Sequence, residues 1–401
     1  MRPITSTIDF ANALRTVSDA AVPIARVETL LLLETDGRVV AREIVAAADV
    51  PPFDRAAMDG YAVIAGETTG ASATSPRALR CVDRVFSGHM PRRGLGPGEC
   101  MEIATGAPMP AGADAVVMVE ETMRDGDTVR IAAAVTPRQN VGRRAADLAA
   151  GDVIVSPGQV LNPSRIGALA ATGVTRVDVF AKPTVALLST GDEIVQPGAP
   201  LAPGQIYDIN RFTLETIVTR HGGHAIAMGS VGDTIDDLVD RLDQARQEDI
   251  VIFSGGSSVG DRDLILDVIE RRGELVFRGI AVKPGKPTIF ARLGQTPFFG
   301  MPGYPASCLS NAYMLVVPFL RKMARLPAWA PRTIDLPLAR RVVSAAGRHQ
   351  FYTVRVADGR AEPAFKASGD ITSMAHADGF IEIPAEVDIV EAGTVVTVKF
   401  F

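Results

Sequence analysis

Four turns hold most of the residues with chemistry to offer: STGDE (189–193), SGGSSVGDRD (254–263), KPGKP (283–287) and GMPGYP (300–305). Glycines let a chain turn tightly after a strand and bring backbone N–H groups close to a ligand. Such groups, together with a helix N-terminus, hold phosphate. The candidate ligand contacts in these turns are Ser189, Gly191, Gly255, Gly256, Ser258 and Pro302. Lys283 and Lys286 sit on a turn stiffened by proline and suit an anion, with solvated surface lysines as the alternative. Asp192, Glu193, Asp261 and Asp263 add hard oxygen ligands of the kind Mg²⁺ takes beside a phosphate. Turn or cap chemistry is the alternative for Asp192, Asp261 and Asp263. The second turn is neither a GK[ST] phosphate loop nor a GxGxxG loop.

The flanking segments must put these turns at one place. Residues 183–326 alternate strand and helix patterns. PTVALLST, AIAMGSV, DIVIFS, ELVFRGI, TIFARL and TPFFGM read as strands, and Arg211–His221, DTIDDLVDRLDQAR and DLILDVIERRG read as helices. Solidly apolar strands between helices predict a mainly parallel sheet covered on both faces. Each turn is expected to follow the carboxyl end of a strand, where open α/β sheets bind ligands. Asp233 is fully explained as the N-cap of the second helix, whose acids Asp236, Asp237, Asp240 and Asp243 read as a solvated face.

Around this unit the pattern changes. The first 50 residues read as mostly helical, with Ser6 and Thr7 as capping candidates. Residues 51–145 hold short β runs (YAVIAG, LRCVDRVF, GECMEIA, DAVVMVEE, TVRIAAAV) and read as an inserted barrel or sandwich. Residues 146–180 return to mixed character, completing the segment begun by 1–50. After 181–326 comes a last small β domain, 327–401, with TIDLPL, FYTVRV, FIEIP and GTVVTVKF as strands. The fold class is multidomain α/β plus β.

Composition excludes several functions. A chain of 401 residues suggests two to four domains. Its 47% hydrophobic content excludes disorder. The 37 glycines and 27 prolines imply many turns. A net charge of −5 and one tryptophan oppose a nucleic-acid surface. No apolar run reaches the roughly 18 residues of a membrane span, and no signal-peptide pattern opens the chain, so a cytoplasmic protein is expected. Three dispersed cysteines form neither a disulfide framework nor a metal knuckle. His221-Gly-Gly-His224 reads as a helix C-terminus rather than a metal site.

PPFDRAAMDGYAV (51–63) resembles the signature loop of the molybdopterin molybdenumtransferases, or molybdenum insertases, which include bacterial MoeA and the C-terminal domain of gephyrin. TGAPMPAGADAVV (105–117), GRRAADLAAGD (142–152), LLSTGDEIV (187–195), IYDIN (206–210), the 254–263 turn, AVKPGKP (281–287), GMPGYPAS (300–307) and SGDITSMAHADGFIEIP (368–384) follow in that family's order. The resemblance implies an elongated homodimer whose central domain is a molybdopterin-binding three-layer α/β fold. It implies adenylylated molybdopterin and molybdate as substrates, Mg²⁺ as cofactor, and cleavage of the adenylate with insertion of molybdenum into the dithiolene. The upstream adenylyltransferase and recipient molybdoenzymes are the implied partners.

Carried over residue by residue, the family's functional acids fall on Asp59, Asp147, Glu193, Asp233 and Asp263. Glu193 and Asp263 are the metal candidates; Asp59, Asp147 and Asp233, with Thr105, are the catalytic ones. Lys283, Lys286 and Ser307 match binding positions. In the family, the Asp59 and Thr105 loops approach the α/β pocket of the other subunit. Tyr304 replaces the asparagine of PGNP, Ser257 a valine, Ala145 and Ala146 a glycine and a glutamate, and Thr353 an arginine. Arg355, two positions along the strand and so on the same face, is the candidate substitute for that arginine. A pterin-binding scaffold without chemistry is a second reading. Another nucleotide-cleaving enzyme on the same α/β fold is a third, opposed by the 51–63 loop and the inserted β domain.

Overall fold

Apolar residues in consecutive pairs dictate the central architecture. In strand β1 (Thr184–Thr190), Val185 and Leu187 face one hydrophobic cluster while Ala186 and Leu188 face another. Strand β3 (Ile250–Ser254) divides the same way, with Ile250 and Ile252 against Val251 and Phe253. Side chains alternate across a strand, so burial of both faces requires cover above and below. Helices α2 (Ile235–Ala245) and α3 (Leu264–Arg272) supply one cover. Helix α1 (Asn210–Arg220) and the helical run through 305–323 supply the other.

The remaining strands are β2 (His224–Val231), β4 (Glu274–Arg278), β5 (Ile289–Leu293) and β6 (Thr296–Met301). The sheet order is β2-β1-β3-β6-β5-β4. The first four are parallel, and β5 runs antiparallel to both β6 and β4. From β1 the chain moves outward to β2, then returns past β1 to β3. The order reverses between β1 and β3, which is where such sheets open a crevice at their carboxyl ends.

The computed structural model describes residues 4, 6–191, 193–231, 235–255 and 264–401. Asp192, Asp233, Gly256, Ser257, Ser258, Asp261 and Asp263 lie outside them. The described chain forms two compact units, one of 1–28, 37–39 and 179–401, the other of 29–36 and 40–178.

The first unit also holds the Phe10–Ala20 helix and a C-terminal sheet. Asp9 caps that helix by accepting from Asn12 N at 2.9 Å, which displaces Ser6 and Thr7 as capping candidates. Ala13 and Val17 bury its inner face. Beyond it, the only helical turn among the described residues of the first 50 is a short 3-10 helix at Leu32–Glu34, contrary to expectation. Val27–Leu31 is a strand with alternating burial that pairs with Arg176–Phe180, and Leu32 N, at the start of the 3-10 turn, donates to Thr175 O. The C-terminal sheet joins Val282–Lys283, His349–Ala357, Gly379–Ile383, Val395–Phe400 and Thr333–Pro337, with Arg360–Pro363 beside it.

In the second unit, six strands between Gly60 and Ile131 form one sheet. Tyr61, Val63, Cys100 and Val117 bury one face, and Ala62, Met101, Ile103 and Val116 the other.

Candidate functional site

The crevice between β1 and β3 opens into a cavity of about 810 Å³. Ser189 and Thr190 end β1 at its floor, and Ser254 and Gly255 end β3 beside them. Gly255 has φ +103°, and a Cβ there would meet Thr190 O at 2.5 Å, so the tight turn away from β3 requires glycine. Pro302 and Ser307 line the wall after β6.

Two buried polar residues that the sequence reading left without a role fix this floor. Asp208 is 4% exposed, and its Oδ2 accepts from Ser189 Oγ at 3.0 Å. Its Oδ1 accepts from Arg211 N at 3.0 Å, which caps α1. Asn210 donates to Gly303 O at 2.8 Å and ties α1 to the PGYP turn. The signal was present in IYDIN: an Asp two residues ahead of a helix that starts with Asn. Its partners at 189 and 303 are remote in sequence.

The lysine turn lies at the same edge for a reason that differs from the expected one. KPGKP does not follow a strand of the parallel set; it leads into β5. Because β5 is antiparallel, its start lies beside the end of β6, with Ile289 opposite Gly300. Lys283 is held by pairing of Val282–Lys283 with His349 and Gln350. Gly285 O accepts from Asn311 Nδ2 at 2.8 Å and from Thr288 Oγ1 at 2.9 Å. Lys286 donates to Ile4 O at 3.3 Å, and both lysines line the cavity.

Glu193 is the predicted metal ligand that the described residues place in the wall. Gly191, at φ +136°, lies under it, and a Cβ on Gly191 would meet Glu193 Oε2 at 2.5 Å. No group of three His, Cys, Asp or Glu able to hold a metal occurs among the described residues. Mg²⁺ keeps several waters and takes one or two carboxylates with substrate phosphates. The Glu193 carboxylate, seated where a Cβ is absent, fits such a cation.

Asp59, Thr105 and Asp147 belong to the second unit. Asp59 Oδ1 accepts from Thr105 N at 2.6 Å and Thr105 Oγ1 at 3.0 Å, and these bonds hold its carboxyl below the ordinary range. Asp147 is exposed, and its N donates to Val50 O at 3.0 Å, beside the 51–63 loop.

Comparison with known proteins accounts for almost the whole chain. Residues 8–173 match the MoeA N-terminal region (domain I and II), 186–322 the "Probable molybdopterin binding domain", and 335–401 the MoeA C-terminal region (domain IV). Molybdopterin molybdenumtransferase 2 of Mycobacterium tuberculosis is 33% identical, over 91% of this chain and 93% of that protein. The Haemophilus influenzae molybdopterin molybdenumtransferase is 33% identical, over 93% and 94%. The chain belongs to the molybdopterin molybdenumtransferase family. A crystal structure of the molybdopterin biosynthesis MoeA protein from Pyrococcus horikoshii superposes with a TM-score of 0.84 at 39% identity, covering 98% of this chain and 99% of that one. Family membership makes the protein a transferase of molybdenum cofactor biosynthesis.

The departures from the family pattern now have positions. Tyr304 is 66% exposed and gives no side-chain cap to the Pro305–Asn311 helix; Ala306 N instead donates to Ser368 O at 3.1 Å. Ala145 retains φ +58°, the backbone that the family's glycine would adopt freely. Thr353 is buried, with no partner for its hydroxyl among the described residues. Arg355, the candidate substitute, is exposed and opposite Glu362, and it does not line this cavity. The cations that the C-terminal segment brings to the cavity are Arg348 and Lys366, neither marked by a motif.

Proposed function

We propose that the protein inserts molybdenum from molybdate into adenylylated molybdopterin, with Mg²⁺ assistance and release of AMP, in the cytoplasm. The observation that carries this reading is the meeting of Lys283, Lys286, Glu193 and the Ser189, Ser254 and Ser307 hydroxyls in one cavity at the strand reversal. Ammonium groups and hydroxyls bind and orient anionic oxygens. Asp208 keeps the Ser189 hydroxyl directed, and Asn311 keeps the lysine turn in place. Glu193, with Asp263, would hold Mg²⁺. That ion would offset phosphate charge as the adenylate is cleaved. Asp59, Thr105, Asp147 and Asp233 are the proposed catalytic residues. The upstream adenylyltransferase supplies the substrate, and molybdoenzymes receive the product.

The test is release of AMP on mixing purified protein with adenylylated molybdopterin, molybdate and Mg²⁺. Glu193→Gln and Asp263→Asn are expected to abolish it with the fold intact; unchanged release in both would reject the metal assignment. The reading also includes a homodimer with a site shared between copies. Co-purified dimers of Asp59→Asn and Glu193→Gln chains would then regain activity that either variant lacks alone, and failure to regain it would refute the sharing. The division into 1–50 with 146–180, 51–145, 181–326 and 327–401 is proposed with it, and limited proteolysis near 145, 180 and 326 tests it.

A further inference from the structure

A second cavity, of about 210 Å³, lies in the first unit apart from the site above. Tyr313, Trp329 and Phe401 wall it, and His221, Arg220 and Arg332 are among its other lining residues. Tyr313 and Trp329 stack with centroids 5.3 Å apart, and His221 meets Trp329 edge-on at 5.8 Å. His221 is 5% exposed, and neither ring nitrogen has a hydrogen-bond partner among the described residues. No described carboxylate pairs with Arg220 or Arg332; the Arg332 guanidinium lies over the Phe400 ring at 4.5 Å.

This combination is unusual for a purely structural pocket. Buried polar groups are nearly always hydrogen-bonded, and each exception calls for an explanation. Arg220 and Arg332 are exposed, so their charge-assisted donors face water and are open to an anion arriving from solvent. Burial, with Arg321 and Arg220 nearby, lowers the His221 pKa to about 4. At neutral pH the ring is therefore uncharged and adds no third cation. Aromatic walls suit a flat ring, and an apolar cavity of about 150 Å³ already admits benzene.

We infer that this cavity binds a planar aromatic carboxylate, its ring against Tyr313, Trp329 and Phe401 and its carboxylate on Arg220 and Arg332. The inference is independent of the reaction proposed above.

Trp329 is the one tryptophan of the chain, so its emission reports from the cavity wall. Titration of the full-length protein at pH 7.5 with sodium benzoate is expected to change that emission saturably. Benzyl alcohol, which has the ring without the charge, should bind about tenfold more weakly or worse. Arg220→Gln and Arg332→Gln should each weaken benzoate by about the same factor. Equal affinity for benzoate and benzyl alcohol would overturn the proposal, and that comparison needs no variant to fold. A benzoate response lost in Lys286→Ala would place the ligand in the larger cavity and also overturn it. So would a flat Trp329 response to benzoate up to its solubility limit.

Discussion

Asn311→Ala tests how the lysine turn is held. Asn311 is fully buried, and its amide donates to Gly285 O at 2.8 Å and to Thr288 Oγ1. Each neutral hydrogen bond contributes about 1 kcal/mol net. The truncation also leaves a small void, at roughly 24 cal/mol per Å³. Against this, Asn311 Oδ1 has no partner, and its removal returns part of a desolvation cost of about 1 kcal/mol. The balance is a loss of about 2 kcal/mol from the first unit. Gly285 O keeps its bond from Thr288 Oγ1, so the turn should loosen rather than collapse. Lys283 and Lys286 flank Gly285, and a loss of about 1.4 kcal/mol in their shared interaction with an anion is tenfold in affinity. Urea denaturation followed by far-UV dichroism measures the first effect, and AMP release against molybdate concentration measures the second. A variant with wild-type urea midpoint and wild-type molybdate dependence would refute the clamp.

Lys286→Ala, in the same assay, should weaken the molybdate or pterin dependence by roughly 10- to 150-fold, the size of a lost charge-assisted interaction; a change below about 0.5 kcal/mol in stability alone would make it an ordinary surface lysine. Ala145→Gly should stabilise the second unit by about 1 kcal/mol, because φ +58° strains an L-residue and suits glycine; a lower urea midpoint would contradict this. His221 should make the first unit acid-sensitive. Its folded pKa of about 4 lies below the unfolded value near 6.5, so the unfolded state binds more protons between them. Its contribution is complete above pH 6.5 and falls by about 2 kcal/mol at pH 5, with half-buried His349, also lowered, acting in the same direction. Urea midpoints read by Trp329 emission at pH 7.5 and pH 5 should converge in His221→Leu relative to wild type.

How far the sequence foretold this site depended on the separation of the contacts. Runs such as Val185–Leu188 and Ile250–Phe253 are apolar at every position, which demands a doubly covered sheet before any neighbour is known. The turns at its carboxyl edge were legible for the same reason. The direction of β5 was not, because an antiparallel strand inside an α/β pattern leaves no local mark; KPGKP was placed at the right edge for the wrong reason. Asp208 and Asn210 were overlooked because their roles depend on Ser189 and Gly303. Val27–Leu31 was misread because leucine and glutamate favour helix in isolation, while a backbone bond from Leu32 to Thr175 settles it otherwise.

The same distinction explains how the cavity tolerates its departures from the family pattern. A side-chain cap can be replaced by any acceptor that reaches the same N–H, and Ser368 O reaches Ala306 N where Tyr304 cannot serve. A cation can be supplied by any chain segment that ends at the cavity, since Coulomb attraction is set by distance and not by lineage. Arg348 and Lys366 end there, although neither occupies the position where the family has its arginine. Backbone geometry is less replaceable. Gly191 and Gly255 hold positive φ with atoms of Glu193 and Thr190 where a Cβ would stand. Ala145, where glycine was lost, has only the strain of φ to bear, in a segment whose N–H groups bond back to Pro51 and Val50. A group is therefore replaceable where another can reach the same point in space, and not where the main chain itself fills it.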